Sequence, residues 1–183
     1  GASNRVKGVK HMPVVTGPDN HKDVQFVRLV ALYERQLLRM CYVYLHDTGL
    51  AEDAVQECFL KAYRSMDSFR GDSSEKTWLM RIAINTCKDM RRTAWFKLRT
   101  RSVRLEDLPD TALPVSPEDS LLTLEIMRLP QKLMEAVLLY YYQGMTVYEI
   151  AELLGISAPS VSTRLQKARR RLHNALKGEP TDE

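Results

Sequence analysis

The sequence predicts an all-α protein of two small helical domains, joined by a flexible proline-rich linker, with a helix-turn-helix in the C-terminal domain. Three observations carry this prediction. Apolar residues recur at helical spacing through most of the chain, and no segment shows the alternation of a strand. Residues 106–118 contain three prolines and four carboxylates without periodicity, which is typical of a linker. Residues 146–172 have the spacing of two helices around a sharp turn.

The same patterns divide the 183 residues into six segments. The first of them has no apolar period and resembles a vector-derived tail, so it is excluded from fold reasoning. The predicted segments are this tail at 1–11, a lead-in at 12–20, a first domain at 21–97, the linker at 98–117, a second domain at 118–177 and a polar tail at 178–183.

The composition is that of an ordinary globular protein, with 44% hydrophobic residues and a net charge of +4. No apolar run approaches the ~20 residues of a membrane span, and no signal peptide is evident. Cys41, Cys58 and Cys87 lie within apolar helical patterns, so we expect buried thiols and a reducing cytoplasm rather than disulfides or zinc ligands. The four histidines have no nucleophile or metal-ligand spacing beside them. We therefore expect no catalytic site, no metal and no cofactor.

Three helices are predicted in the first domain. The first covers about 21–46, carries a broad apolar stripe and ends at an Asp-Thr-Gly sequence. The second covers 51–66, with small and apolar residues on its inner face and carboxylates on its outer face. After a short polar break, Ser73 or Ser74 is placed to cap the third, which runs to about residue 90. The tryptophan in this helix is expected to fill the core.

Two helices are predicted ahead of the helix-turn-helix in the second domain. Pro117 at a first helical position opens one of them. Pro130 begins the next, which is expected to stop at Gly144 because glycine commonly ends helices.

The helix-turn-helix is predicted from its caps and its turn. Thr146 and Glu149 have the spacing of a capping box, which starts a helix abruptly. Gly155 permits the positive φ of a sharp turn, and Ser157 or Ser160 is placed to cap the second helix. The small, turn and packing positions of the motif fall at Ala151, Gly155 and Val161.

The second helix of this motif is strongly basic. Between residues 157 and 177 the chain has six lysines or arginines and no carboxylate. A plain helical hairpin with a solvated basic face is the simpler interpretation. Spacing, capping and one-sided charge together favour binding to DNA.

Two blocks of sequence resemble one protein family. The strings AEDAVQECF and DSFRGDSS, followed by TWL and RIAIN, closely resemble the second conserved region of bacterial extracytoplasmic-function (group 4) sigma factors of the sigma-70 family. The block from LP at 129 to RRRL at 172 resembles their fourth conserved region. Together the blocks cover residues 23–176, in the order of the family. A stand-alone helix-turn-helix regulator, with residues 23–95 as a dimerisation or sensor domain, is the alternative.

The resemblance implies that the chain gives core RNA polymerase its promoter specificity. Asp53, Gln56 and Glu57 match the face that docks on the polymerase clamp, where their polar groups would meet arginines in charge-assisted bonds. Taken singly, these residues also fit a solvated helix face. The second domain would lie on the polymerase flap, using the apolar surface near residues 138–142.

The loop that reads DSFRGDSS matches the family loop that holds a base flipped from the non-template strand of the minus-ten element. A flipped base requires a snug pocket and hydrogen bonds to its edge, which a short loop with a glycine can supply. The third helix adds an amide at a family contact position and three cations for phosphates. The resemblance thus implies minus-ten contacts from Phe69, Arg70, Gly71, Asp72, Ser73, Asn85, Lys88, Arg91 and Arg92.

The second helix of the motif should enter the major groove of the minus-thirty-five element. Which of its residues read bases and which hold phosphates is left open by the sequence. The candidates for these contacts are Ser160, Ser162, Thr163, Arg164, Gln166 and Lys167.

The partners implied by the resemblance are core RNA polymerase, promoter DNA and a cognate anti-sigma factor, often membrane-anchored. No small-molecule substrate is expected.

Overall fold

The computed structural model describes residues 20–93 and 117–178 of the chain. Within these ranges all regular structure is helical and no strand occurs, which confirms the predicted all-α class. The predicted linker up to residue 116 and the tails lie outside the described residues. The helices are α1 (Asn20–Leu45), α2 (Thr48–Ser65), α3 (Glu75–Arg92), α4 (Pro117–Arg128), α5 (Gln131–Val137), α6 (Val147–Leu154) and α7 (Ala158–Lys177).

The first unit consists of α1, α2, a short 3₁₀ turn at Met66–Ser68, and α3. Phe26 near the start of α1 packs edge-on against Phe59 late in α2, with ring centroids 6.1 Å apart, so the two helices run antiparallel. The helix break predicted after α1 is confirmed, because the Asp47 side chain accepts a hydrogen bond from the Leu50 backbone and caps α2. Ser74, not Ser73, caps α3.

The apolar stripe of α1 is narrower than its sequence suggests. Val24, Val27 and Leu32 are all more than half exposed, while Leu29 and Leu37 are fully buried. Single exposed apolar residues are common on folded proteins, so the buried face of α1 is narrower than the apolar stripe in its sequence.

The second unit consists of α4, α5, α6 and α7. The chain after α5 does not continue as an α-helix to Gly144; residues Leu138–Tyr142 form a π-helical turn in which the Gln143 backbone donates to the Leu138 carbonyl at 3.1 Å. Such wide turns are rare and occur often at functional sites. The sequence does not reveal it because a π turn has no apolar period of its own over so few residues.

The helix-turn-helix is confirmed by its local geometry. Thr146 and Glu149 form both hydrogen bonds of a capping box at the start of α6. Gly155 has φ 66° and ψ 37°, a left-handed conformation that only glycine adopts without strain. Ser157 rather than Ser160 provides the cap of α7, and Val161 is fully buried. The motif therefore stands as predicted.

The two units share one continuous hydrophobic core. Helices α1 and α3 of the first unit lie against α4, the π turn and α6 of the second. The three cysteines are buried and free, as expected, with the Cys41 and Cys87 sulfurs 3.5 Å apart. Over the two described ranges, no helix combines the length and the apolar character needed to cross a membrane.

Candidate nucleic-acid and protein interfaces

The outer face of α2 carries a polar stripe whose members lie one turn apart. Asp53 and Gln56 are exposed, and Glu57 is half-exposed. The Glu57 carboxylate lies 3.8 Å from the Lys61 amine, a surface pairing of little energetic weight. Leu60, four residues after Gln56, is 46% exposed and extends the same face. The three predicted residues therefore share one surface, and Leu60, which follows them at helical spacing, is an addition that this spacing could have revealed.

The loop between α2 and α3 exposes most of the residues predicted to hold a flipped base. Arg70, Gly71 and Asp72 are exposed, and Gly71 has φ 77°. The Phe69 ring stacks on Trp78, with centroids 4.9 Å apart and planes at 29°. Trp78 packs on the core as predicted, and it also supports this loop through the stack, a role its mid-helix position does not signal.

Helix α3 divides its predicted minus-ten contacts between solvent and the interface of the two units. Asn85 is exposed, and so is Arg92, whose guanidinium lies 3.7 Å from the Asp89 carboxylate. Lys88 and Arg91 are only partly exposed and contact residues of the unit interface. The described arrangement therefore leaves two of the four α3 residues open toward solvent.

A buried carboxylate lies at the centre of the contact between the units. Glu135 is 3% exposed, and its Oε1 accepts hydrogen bonds from the Tyr44 hydroxyl at 2.6 Å and from Gln131 at 3.0 Å. Its Oε2 lies 3.5 Å from the Lys88 amine. Arg91 lies over the Tyr44 ring, 5.5 Å from its centroid. We call these five residues the Glu135 cluster.

The buried negative charge of Glu135 is compensated by the other residues of the Glu135 cluster. A buried carboxylate is tolerated when several donors and a cation surround it, and Glu135 has all of these. Burial raises the pKa of the Tyr44 hydroxyl far above its ordinary value, and the hydrogen bond to Glu135 adds to the shift. Tyr44 therefore acts as a hydrogen-bond donor throughout the physiological pH range.

A second polar contact joins the units at the end of the π turn. The Gln143 side chain is buried and donates to the backbone carbonyl of Gln36 at 3.3 Å. The Lys76 amine donates to the backbone carbonyl of Gln143. On α6, the Glu152 carboxylate lies 3.8 Å from the Arg81 guanidinium. The first helix of the helix-turn-helix is thus held against α3.

Helix α7 separates its six predicted DNA contacts onto two stripes. At 3.6 residues per turn, positions 160, 163, 164 and 167 fall together, whereas Ser162 and Gln166 fall on a neighbouring stripe. The first stripe lines an open groove of about 470 Å³ whose other wall begins at the first turn of α5. The groove is lined in part by Lys132, Ser160, Thr163, Arg164 and Lys167.

The surface near residues 138–142 is expected to be apolar, but only its tyrosines contribute to the surface. Leu138 and Leu139 are fully buried because the π turn directs them into the core, while Tyr141 is 54% exposed. Tyr141 borders a mainly apolar cavity of about 320 Å³ between α4, the π turn and α7. The Arg169 side chain donates a hydrogen bond of 2.7 Å to the Tyr141 hydroxyl and so orients the tyrosine ring.

Two patterns of a known family match the chain. The pattern of Sigma-70 region 2 matches residues 29–97, and the pattern of Sigma-70 region 4 matches residues 120–172. The chain belongs to the sigma-70 family. Within that family it is an extracytoplasmic-function sigma factor, and it functions as an alternative sigma factor in transcription initiation. A stand-alone regulator is not favoured, because both regions of the family are matched.

Individual relatives show the same family over most of their length. The chain is 34% identical over 165 residues to the RNA polymerase sigma-H factor of Pseudomonas aeruginosa, covering 82% of this chain and 86% of that protein. It is 31% identical over 166 residues to the ECF RNA polymerase sigma factor SigW of Bacillus subtilis, covering 83% and 89%. Among solved structures, CnrH in complex with the cytosolic domain of CnrY is similar with a TM-score of 0.67 and 26% identity, over 86% of this chain and 91% of that chain.

Proposed function

We propose that this sigma factor docks α2 on the clamp of core RNA polymerase, holds the minus-ten strand with the α2–α3 loop and α3, and inserts α7 at the minus-thirty-five element. The observation that carries this proposal is the division of three exposed polar surfaces between two helical units. We assign the two units to the domains expected at 21–97 and 118–177. We assign the protein a role in binding and positioning rather than in catalysis.

A footprinting experiment tests this proposal directly. The pure chain is expected to leave promoter duplex unprotected, whereas the chain with core polymerase protects both elements and starts transcription in a run-off assay. Strong protection by the chain alone at two symmetric half-sites would support a stand-alone regulator instead.

The polar stripe on α2 suits a basic partner. Carboxylates and an amide form bonds to arginine that are stronger than neutral hydrogen bonds, and exposed Leu60 adds apolar area to the same face. Burying such bonds away from water strengthens them further. The clamp of core polymerase is the partner that we assign to this surface.

Replacing Asp53, Gln56 and Glu57 together with alanine is expected to weaken binding to core polymerase by at least about tenfold, since the loss of even one charge-assisted bond costs about 1.5–3 kcal/mol. All three side chains face solvent, so the midpoint of thermal unfolding should stay nearly unchanged. Competition with a labelled sigma factor measures the affinity. A matched control is a triple replacement on a different helix, α1, at exposed Gln25, Glu34 and Arg35. Equal core affinity in the two variants would contradict the assigned dock.

The minus-ten surface combines a pocket and phosphate contacts. Gly71 lets a nucleobase approach the backbone closely. The stack of Phe69 on Trp78 anchors the loop to α3. Asn85 offers both a donor and an acceptor toward a base edge. These features fit a single nucleotide held outside the duplex, whose extraction costs a few kcal/mol.

Arg164 is the residue of α7 that we assign to a guanine. Replacing it with alanine is expected to lower affinity for the minus-thirty-five element by about 1–3 kcal/mol, or about 5- to 150-fold, and to relax sequence preference at one position. Binding of holoenzyme to fragments with intact and altered upstream elements measures both effects. Arg170→Ala on the same helix, outside the groove lining, serves as the control. A normal upstream footprint with the Arg164 variant would reject the role.

The remaining partners follow from the family and from one apolar cavity. The cavity beside Tyr141 is where we place the polymerase flap. CnrH was solved with the cytosolic domain of CnrY, and we propose that this chain likewise has a cognate protein partner, an anti-sigma factor anchored in the membrane. Because RNA polymerase works in the cytoplasm, we assign the chain to that compartment.

A further inference from the structure

One wall of the groove beside α7 carries a lysine that does not belong to the helix-turn-helix. Lys132 is exposed on the first turn of α5 and lines the groove together with Arg164 and Lys167 of α7. The groove is open and has a volume of about 470 Å³. Cations from two different helices therefore converge on one space.

None of these three cations forms an ion pair with a carboxylate in the described ranges 20–93 and 117–178, and no carboxylate lines the groove. Nearby on α4, Arg128 does have such a partner, since its guanidinium lies 2.6 Å from Glu125. Like charges held in one concave space raise the local positive potential, which an outside anion relieves. The groove is thus electrostatically prepared for an anion.

The hydroxyl groups of the groove are already engaged. The Thr163 hydroxyl donates to the Pro159 carbonyl at 3.0 Å, and the Ser157 and Ser160 hydroxyls share a hydrogen bond of 2.8 Å. Donors for an external ligand are therefore chiefly the ammonium and guanidinium groups. Such groups bind phosphate well, lysine as a point charge and arginine as a fork.

The position of Lys132 relative to α7 distinguishes its role from that of the helix. Residues 160–167 span about 10 Å along α7, which fits within a major groove about 12 Å wide. With α7 in the major groove, a side chain on the opposite wall, off the helix, would face the DNA backbone that borders that groove. From this placement we infer that Lys132 binds a backbone phosphate beside the minus-thirty-five element and fixes the register of α7 on the duplex. The inference rests on the proposed entry of α7 into the major groove.

A phosphate contact has a signature that differs from base reading. Loss of such a contact weakens binding to all sequences about equally, and it lowers the slope of log K against log salt concentration by about one charge. Lys132 is therefore a positioning residue, and its removal should not change which upstream sequence is preferred.

The test uses holoenzyme reconstituted from core polymerase and the full chain, with promoter fragments selected by the wild-type holoenzyme from a random library. Lys132→Gln is expected to reduce the salt slope by about one while the ranking of upstream sequences stays constant. Lys132→Arg, which retains the charge, is expected to restore the wild-type slope. Lys177→Gln at the far end of α7, outside the groove, serves as the control.

Two results would overturn the inference. One is an unchanged salt slope in Lys132→Gln when the wild-type holoenzyme clearly distinguishes an intact from a scrambled upstream element. The other is a changed ranking of upstream sequences, which would make Lys132 a base-reading residue. A wild-type holoenzyme that ignores the upstream element would instead refute the proposed role of α7, so the two failures are separable.

Discussion

Replacing Glu135 with alanine is expected to lower the free energy of unfolding by about 3 kcal/mol, because a buried carboxylate with three partners is lost from the unit interface. The Tyr44 hydroxyl is then buried without its acceptor, at a cost of about 1–3 kcal/mol. Lys88 loses its partner as well, but its side chain is 28% exposed and reaches water, so its share is smaller. Urea denaturation followed by circular dichroism measures the change.

The matched control is Glu125→Ala on α4. Its carboxylate pairs with Arg128 three residues away at the surface, so its loss is expected to change stability by no more than about 0.5 kcal/mol. Glu135→Gln is a second arm, which keeps an acceptor for Tyr44 while it removes the charge beside Lys88. Equal stability of the Glu135→Ala and Glu125→Ala proteins would show that the Glu135 cluster contributes nothing to the contact.

The same contact bears on promoter binding. The minus-ten and minus-thirty-five elements are about 25 base pairs apart, which is about 85 Å at about 3.4 Å per pair. In the described arrangement, Lys88 on the proposed minus-ten surface lies 3.5 Å from Glu135, one turn of helix away from Lys132 and its groove. If the proposed minus-ten and minus-thirty-five surfaces are correct, we expect the two units to separate before both elements are bound. If the contacts of Glu135 hold the two units together, small-angle scattering should give a larger radius of gyration for Glu135→Ala than for the wild type.

A structural feature can be predicted from this sequence when the residues that form it are close together along the chain. The capping box of Thr146 and Glu149, the left-handed Gly155 and the Asp47 cap each depend on residues no more than four positions apart. Such features follow from local chemistry. The capping box and the turn at Gly155 are found where the sequence predicts them, whereas at Asp47 the sequence predicts only the break between two helices. The helical class follows for the same reason.

The contact between the units is decided at long range and could not be predicted in this way. Tyr44 and Glu135 are 91 residues apart, and Gln143 and the Gln36 carbonyl that it contacts are 107 apart. By pattern alone, Glu135 resembles any glutamate on an amphipathic helix, which is usually solvated. The candidate site is affected in the same way, since Lys88 is on the predicted face of α3 and nevertheless contacts Glu135 of the other unit. Arg91, one turn later, lies over the Tyr44 ring at the same interface.

His46, at the end of α1, allows the contact between the two units to be tested through the pH dependence of stability. His46 follows α1 with φ 61°, and its Nε2 atom is buried without a hydrogen-bond partner among the described residues. Burial, together with the nearby Arg91, lowers the pKa of His46 to about 4, although a hydrogen bond to the Met127 backbone opposes part of the shift. Protonation would place a second cation beside Arg91 inside the interface.

Stability is accordingly expected to fall as the pH drops. An unfolded histidine binds its proton near pH 6.5, whereas His46 in the folded chain does so only near pH 4, so the unfolded state takes up protons first between these values. The expected contribution of His46 is a loss of about 3 kcal/mol between pH 6.5 and pH 4, at about 1.4 kcal/mol per pH unit, and no loss above pH 6.5. Urea denaturation at a series of pH values measures it.

The deciding variant is His46→Asn, which removes the titrating ring and retains a residue type that tolerates the left-handed conformation. Its stability is expected to fall less steeply with acid than that of the wild type, by about the stated amount. His173→Asn, at an exposed position of α7, is the matched control and should follow the wild-type curve. Other groups that titrate in this range are common to all three proteins and cancel in the difference. Parallel curves for the wild type and His46→Asn would mean that His46 is protonated without disturbing the interface, and the histidine would then have no part in holding the two units together.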